Sequence, residues 1–157
     1  MAQTVFDVVV IGAGQSGLAA GYYLKQAGLR FVILEKGAAP TGSWLQYYES
    51  LKLFSPAAYS SLPGYPFPHP PVHYPTRNDV SDYLKTYAKT FALPVLTETA
   101  VTQVTKQENR FVIESTNETF FAKTIIVASG SFNKPHYPRF PQQHRFTGTI
   151  LHSSAYK

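Results

Sequence analysis

The chain begins with a nearly unbroken apolar run, Val5-Phe-Asp-Val-Val-Val-Ile11. Consecutive β-branched residues without alternation predict a strand buried on both faces, as in a parallel sheet. From Gln15 to Ala27 the pattern turns to helix formers, with Leu18, Tyr22 and Leu24 among the apolar positions and Gly28 as a stop. Arg30 to Glu35 repeats the buried-strand texture. Strand, helix and strand within about 30 residues make a βαβ unit with a right-handed crossover.

The texture changes between Gly37 and Thr76. Seven of the twelve prolines fall from Pro56 to Pro75, interleaved with Tyr59, Tyr65, Phe67 and Tyr74. Proline blocks both sheet ladders and helix interiors, so an irregular or polyproline-like segment is expected. Its aromatics suit either a cover for a ligand channel or a plug packed on the sheet. A helix is predicted from Val80 to Phe91, capped by Asn78 or Asp79, with Tyr83, Leu84, Tyr87 and Phe91 as its apolar face. Pro94 to Leu96 reads as a short strand.

Three extended runs follow, Ala100 to Lys106, Arg110 to Ser115 and Thr119 to Ala122, separated by Glu108-Asn109 and Thr116-Asn117. They predict an antiparallel meander. Thr124 to Ala128 returns to the buried-strand texture, and Ser129 to Lys157 reads mostly as loop. The predicted fold class is α/β: a Rossmann-type domain whose parallel sheet carries an antiparallel meander before its last strand.

Gly12-Ala13-Gly14-Gln15-Ser16-Gly17 is a G-x-G-x-x-G run placed directly after a buried strand and at the start of a helix. In that context Gly12 permits the tight turn and Gly14 lets a pyrophosphate approach the backbone. Gly17 lets helix and strand pack closely. The N–H groups at the helix start then face the phosphates. Glu35 closes the second strand, followed by Lys36. A carboxylate there accepts hydrogen bonds from the adenosine ribose hydroxyls and repels a 2′-phosphate. The motif alone leaves FAD and NAD open. It also leaves open an NAD-dependent dehydrogenase domain and a non-catalytic nucleotide-binding module.

Composition narrows the field. The 157 residues are 44% hydrophobic and 15% charged, enough apolar material for a core. With no Cys, thiolate nucleophiles, disulfides and Cys-ligated metals are excluded. That composition suits a cytoplasmic setting. No leader sequence or membrane-spanning run is read between Met1 and Gly14 or beyond. The net charge of +5 arises from basic residues scattered along the chain, which argues against a nucleic-acid partner.

Further segments resemble the flavin-containing monooxygenase family, in particular its bacterial members and the plant indole-3-pyruvate monooxygenases. They are Thr41-Gly42-Ser43-Trp44, Leu51 to Pro56, Leu62-Pro63 through Phe67-Pro68, and Tyr74-Pro75-Thr76-Arg77 with Tyr83-Leu84 and Tyr87-Ala88. Ala128-Ser129-Gly130 resembles the segment where such flavoproteins pass between their FAD and NADPH domains. Phe146-x-Gly148-x-x-x-His152-x-x-x-Tyr156 fits the family fingerprint at every position. Tyr156 followed by Lys157 leans toward the heteroatom-oxygenating branch.

The resemblance implies FAD and NADPH as cofactors, and a small-molecule substrate and O2 as partners. In the family NADPH reduces FAD, and the reduced flavin captures O2 as a C4a-(hydro)peroxide that passes one oxygen to the substrate. It also implies that Gly42, Ser43 and Trp44 lie along the FAD and that Val101 meets the adenine. Ala128, Ser129 and Gly130 would approach the flavin, and His152 would pack at the domain junction. Phe54 stands where animal members carry an Asn near the flavin. No residue is assigned a catalytic role.

The remaining histidines read as surface. His69 and His73 lie four apart in a Pro-rich loop where helical geometry is unavailable, so no metal site is expected there. His136 and His144 are expected in solvent. Beyond Gly42 the only glycines are Gly64, Gly130 and Gly148, so no second G-x-G-x-x-G follows. The expectation is a single, truncated FAD-binding domain over residues 1–157 without the NADPH domain, and with surface open to self-association.

Overall fold

The structure, a computed structural model, describes residues 4–131 and 134–157. Met1 to Gln3, where the leader was sought, and Phe132 and Asn133, within the stretch read as loop, lie outside the described residues.

Strand β1 (Val5–Ile11) is flanked on both sides. It pairs in parallel with β2 (Phe31–Leu34), Val8 opposite Phe31 and Ile11 opposite Leu34. On its other edge it pairs in parallel with β6 (Thr119–Val127), from Val5 opposite Phe121 to Ile11 opposite Val127. That central position explains the lack of alternation: Val8, Val9 and Val10 are all buried, though successive side chains point to opposite faces. The short β3 (Val95–Leu96) extends the parallel sheet beyond β2. Beyond β6, β5 (Arg110–Ser115) and β4 (Val101–Gln107) add antiparallel, giving the order β3-β2-β1-β6-β5-β4. This is the α/β sheet with an antiparallel meander that the sequence predicts.

Two local expectations are corrected. The runs predicted over Thr119–Ala122 and Thr124–Ala128 merge into one nine-residue strand, Thr119–Val127, which ends before Ala128. The first part of β6 pairs antiparallel with β5, Ile113 opposite Phe120, while its other edge runs parallel to β1 as far as Val127. Lys123 does not break the strand because its Nζ donates to Asp7 Oδ1 on β1 at 2.7 Å. That bond, with a second from the Arg30 backbone N–H, holds the Asp7 carboxyl below its ordinary pKa. Helix α2 (Arg77–Thr90) starts earlier than expected, and its cap is Thr76. The Thr76 hydroxyl accepts from the Asp79 N–H, and the Asp79 carboxylate accepts from the Thr76 N–H at 2.8 Å, closing a capping box.

The sheet separates two apolar clusters. On one face, helices α1 (Gln15–Gln26) and α2 bury Leu18, Val80, Leu84 and Tyr87 against Val8, Val10 and Ile33. On the other, Val9, Val32 and Leu34 pack with Ile113, Phe120 and Ala122 of the meander. No helix among the described residues is long and apolar enough to cross a membrane.

The Pro-rich segment is chiefly a plug on the first cluster. Phe67 is buried and stacks on Tyr83, and Leu53, Leu62 and Tyr65 pack beside it. Proline limits the ladder this segment can form, and tyrosines of α2 satisfy two of its carbonyls. Tyr83 Oη donates to the Tyr65 carbonyl at 2.6 Å and accepts from the Leu62 N–H at 2.7 Å. Tyr87 Oη donates to the Pro63 carbonyl at 2.7 Å. Burial raises the pKa of both phenols, so they remain neutral donors.

Replacing Tyr87 by Phe strands the Pro63 carbonyl. The expected loss is about 1–2 kcal/mol of unfolding free energy, read as a lower urea midpoint. Tyr23→Phe, at an exposed position of α1, leaves the midpoint in place.

Candidate functional site

At the carboxyl end of the parallel strands the chain turns at Gly12, with φ at +104°. A Cβ there would lie 2.5 Å from the Ala128 carbonyl oxygen, so any side chain would force β1 and β6 apart. At Gly17 a Cβ would lie 1.9 Å from the Gly12 carbonyl oxygen. These two glycines therefore set how closely α1 seats against the strand ends. Gly14 differs: a Cβ there would meet only the Gly42 Cα, at an ordinary 3.6 Å. Its lack of a side chain is not required by the fold.

Gly14 is also the N-cap of α1, with no side-chain cap and no acidic residue in the first turn. The helix thus presents uncapped N–H groups and the positive end of its dipole to whatever lies beyond Gly14, Gln15 and Ser16. What lies there is a cavity of about 750 Å³, within the ~300–1,000 Å³ range of ligand clefts.

Glu35 lines the cavity beside the glycine turn. It is buried, and each carboxylate oxygen accepts a backbone hydrogen bond: Oε2 from the Ala13 N–H at 2.7 Å, Oε1 from the Gly37 N–H at 2.8 Å. One acid thereby ties the glycine turn to the chain leaving β2. Its backbone ties in a third segment, since the Thr99 N–H donates to the Glu35 carbonyl at 2.8 Å. Thr99, Ala100 and Val101 consequently border the same cavity.

The structure gathers most of the sequence-derived candidates around this space. Gly12, Gly14, Gln15, Ser16, Glu35, Lys36, Gly42, Ser43, Trp44, Val101, Ala128, Ser129 and Gly130 all line it. Ala13 and Gly17 are buried behind it, as supports. Thr41, Tyr47, Thr99 and Ala100 line it too, though sequence reasoning did not single them out as site residues. The Thr-Glu-Thr-Ala turn before Val101 carries no motif, and long-range bonds place it: Thr99 N–H to the Glu35 carbonyl, Glu98 N–H to the Gly37 carbonyl, and Thr116 N–H to the Ala100 carbonyl.

The fingerprint residues sit apart from the cavity lining. Phe146 and Tyr156 are exposed, and the Phe146 ring covers Gly148, where a Cβ would come within 2.5 Å of it. His152 packs against Tyr137 with its ring tilted 45°, centroids 4.6 Å apart, and Tyr156 packs on Tyr48 at 5.7 Å. Phe54 is 98% exposed and touches none of the cavity. His136 and His144 are exposed as expected. His69 and His73 are not scattered on the surface: their rings stack at 4.4 Å beside Asp79.

Residues 9–157 match the model of the pyridine nucleotide-disulphide oxidoreductase family. The chain belongs to that family. Within it, the likeness is to flavin monooxygenases, as the sequence motifs suggest. A flavin-containing monooxygenase from Stenotrophomonas maltophilia has the same fold, with a TM-score of 0.92 and 41% identity over 98% of this chain and 47% of that one. An uncharacterized oxidoreductase, CzcO, of Bacillus subtilis is 39% identical over 153 residues, 98% of this chain and 44% of its own length. A probable indole-3-pyruvate monooxygenase, YUCCA3, of Arabidopsis thaliana is 33% identical, covering 95% of this chain and 37% of that protein. The chain thus spans less than half the length of these relatives.

Glu35→Gln tests this carboxylate. Gln presents one acceptor where the carboxylate presents two, and its amide N–H2 would face a backbone donor. The expected cost is about 1–3 kcal/mol, seen as a lowered urea midpoint with an unchanged slope.

Proposed function

We propose that this cavity binds FAD, and that the chain is the FAD-binding portion of an NADPH-dependent, flavin monooxygenase-like oxidoreductase. The whole protein would oxygenate a small-molecule nucleophile with O2. The observation that carries the reading is the uncapped start of α1 on a glycine turn, opening into a cavity that a buried carboxylate also lines.

Bound flavin supplies the redox chemistry that joins NADPH oxidation to transfer of one oxygen atom. This chain's residues bind and orient. The N–H groups at Gly14, Gln15 and Ser16 would hold the pyrophosphate, where a helix N-terminus favours anions. Glu35 uses one acceptor site per oxygen on the backbone and has others left for ribose hydroxyls, a carboxylate offering roughly four. Its negative charge disfavours a 2′-phosphate there. Val101, with Thr99 and Ala100, would wall the adenine. Trp44, Gly42, Ser129 and Gly130 would border the flavin end. The fingerprint residues Phe146, Gly148, His152 and Tyr156 would serve the docking of further domains rather than FAD contact.

Gly14→Ala separates ligand binding from folding. Its Cβ meets an ordinary contact inside the protein but occupies the space a pyrophosphate needs. The expected outcome is an unchanged melting temperature without ligand and about tenfold weaker FAD binding or more, read by quenching of flavin fluorescence. The unsubstituted chain should turn yellow with FAD and retain it on desalting. Failure to do so overturns the reading. Stabilisation by NADH in place of FAD would instead assign the cradle to a dehydrogenase.

A further inference from the structure

The Pro-rich segment and the start of α2 carry a second cluster of donors, none of which lines the cavity. The ring of His69 stacks between that of Phe67, itself buried, at 5.7 Å and that of His73 at 4.4 Å. Pro70 and Pro71 lie between the histidines and restrict the backbone to a turn closed by the His73 N–H on the Pro70 carbonyl at 2.9 Å. Both imidazoles direct Nε2 at one carboxylate: His69 Nε2 lies 3.4 Å from Asp79 Oδ1, and His73 Nε2 lies 3.7 Å from Asp79 Oδ2. One ligand atom from each of the three residues falls within 4.8 Å of the others.

Three features distinguish this cluster from a chance meeting on the surface. His73 Nε2 is shielded from solvent and, among the described residues, makes no hydrogen bond, Asp79 Oδ2 standing off at 3.7 Å. Asp79 is immobilised by the capping box, through Oδ2, which leaves Oδ1 for another partner. The neighbouring cation, Arg77, is turned away to the Tyr47 carbonyl and to Glu49. The separations also suit an ion. Bonds of about 2.0–2.1 Å in a tetrahedron place ligand atoms about 3.3 Å apart; His69 Nε2 and Asp79 Oδ1 stand at 3.4 Å, and the three ligand atoms, within 4.8 Å of one another, need only close in on that spacing.

We propose that His69, His73 and Asp79 form a binding site for a divalent transition-metal cation of the zinc class, fastening the Pro-rich segment to the N-terminus of α2. Two imidazoles, which are borderline donors, outweigh the one hard carboxylate and suit Zn²⁺ and its neighbours rather than Mg²⁺ or Ca²⁺. Three protein ligands leave a fourth position for water. The near-parallel rings, 26° apart, must splay for both lone pairs to meet the ion. Both side chains are partly exposed, 31% and 40%, so the rotation is open to them. Since Arg77 also grips Tyr47, which borders the cavity, the metal would steady that edge as well. The site needs no flavin.

The test uses the full 157-residue chain, stripped with a chelator and titrated with Zn²⁺ alone and with Co²⁺ as a spectroscopic probe. The proposal expects one equivalent bound, visible Co²⁺ d–d absorption that Zn²⁺ abolishes, and a melting temperature raised by Zn²⁺. His69→Gln and His73→Gln should each weaken binding by about tenfold or more, whereas His144→Gln, in the exposed tail, should not. X-ray absorption at the zinc edge of the unsubstituted chain reads the donors directly, and two imidazoles are expected in the first shell even if a variant misfolds. Absence of stoichiometric binding, an affinity in the His69 and His73 variants unchanged from that of the unsubstituted chain, or bound zinc without an imidazole donor would overturn the proposal and leave the trio as an ion-pair cluster.

Discussion

The carboxyl end of the sheet depends on how closely the backbone at Gly12 passes that of Ala128. The Gly12 N–H donates to the Leu34 carbonyl at 2.7 Å, and the Ala128 N–H donates to the Ile11 carbonyl at 2.8 Å. The ends of three parallel strands are therefore laced together at one level. The turn into α1 has to leave that level at once, because Gly17 lies against the Gly12 carbonyl with no room for a Cβ. A β-carbon at either position would lift the helix and move its N-terminus off the cavity. Close approach is the constraint, and the anion-receptive helix end is its consequence.

Glu35 plays the complementary part. Burying a carboxylate is expensive unless its lone pairs are met, and here two backbone N–H groups meet them from opposite sides. The acid therefore serves the shape of the cradle before any ligand arrives. This also limits what can replace it. Asp is a methylene shorter and could not span Ala13 and Gly37 in the same way, and Gln reverses the polarity of one contact. The sequence pattern identifies an acid at the end of the second strand as a ribose ligand. The structure adds that the same group anchors the glycine turn.

What could be read from sequence was what is local. The run from Val5 to Ile11, the three glycines and the acid at the end of the next strand each state their own geometry, and they led to the βαβ unit and its cavity. Errors arose where a distant partner decides. Lys123 reads as a break between strands because Asp7, its partner across the sheet, is 116 residues away in sequence. The helix cap was placed on Asn78 or Asp79 because both are good caps, yet the Thr76–Asp79 box competes better by satisfying two backbone donors at once. Thr99 and Ala100 carry no motif, and are brought to the cavity by partners far along the chain, Glu35 for the Thr99 N–H and Thr116 for the Ala100 carbonyl.

The histidine pair shows the same limit from the other side. A spacing of four signals a shared face on a helix, so its occurrence among prolines argued against proximity. Two prolines in succession, however, remove much of the backbone freedom that would separate His69 from His73, and the turn they enforce sets the rings face to face. Proline here acts in the loop as hydrogen-bond periodicity acts in a helix, fixing which side chains meet. The third member follows from the fold, since Asp79 is held at the first turn of α2 by the cap that starts the helix. The segment that looks least regular in sequence is thus held by phenols at its centre and by a carboxylate at its end, and these side chains supplement the scattered main-chain bonds, such as Leu53 N–H to the Pro75 carbonyl and Ala57 N–H to the His73 carbonyl, that join its two arms.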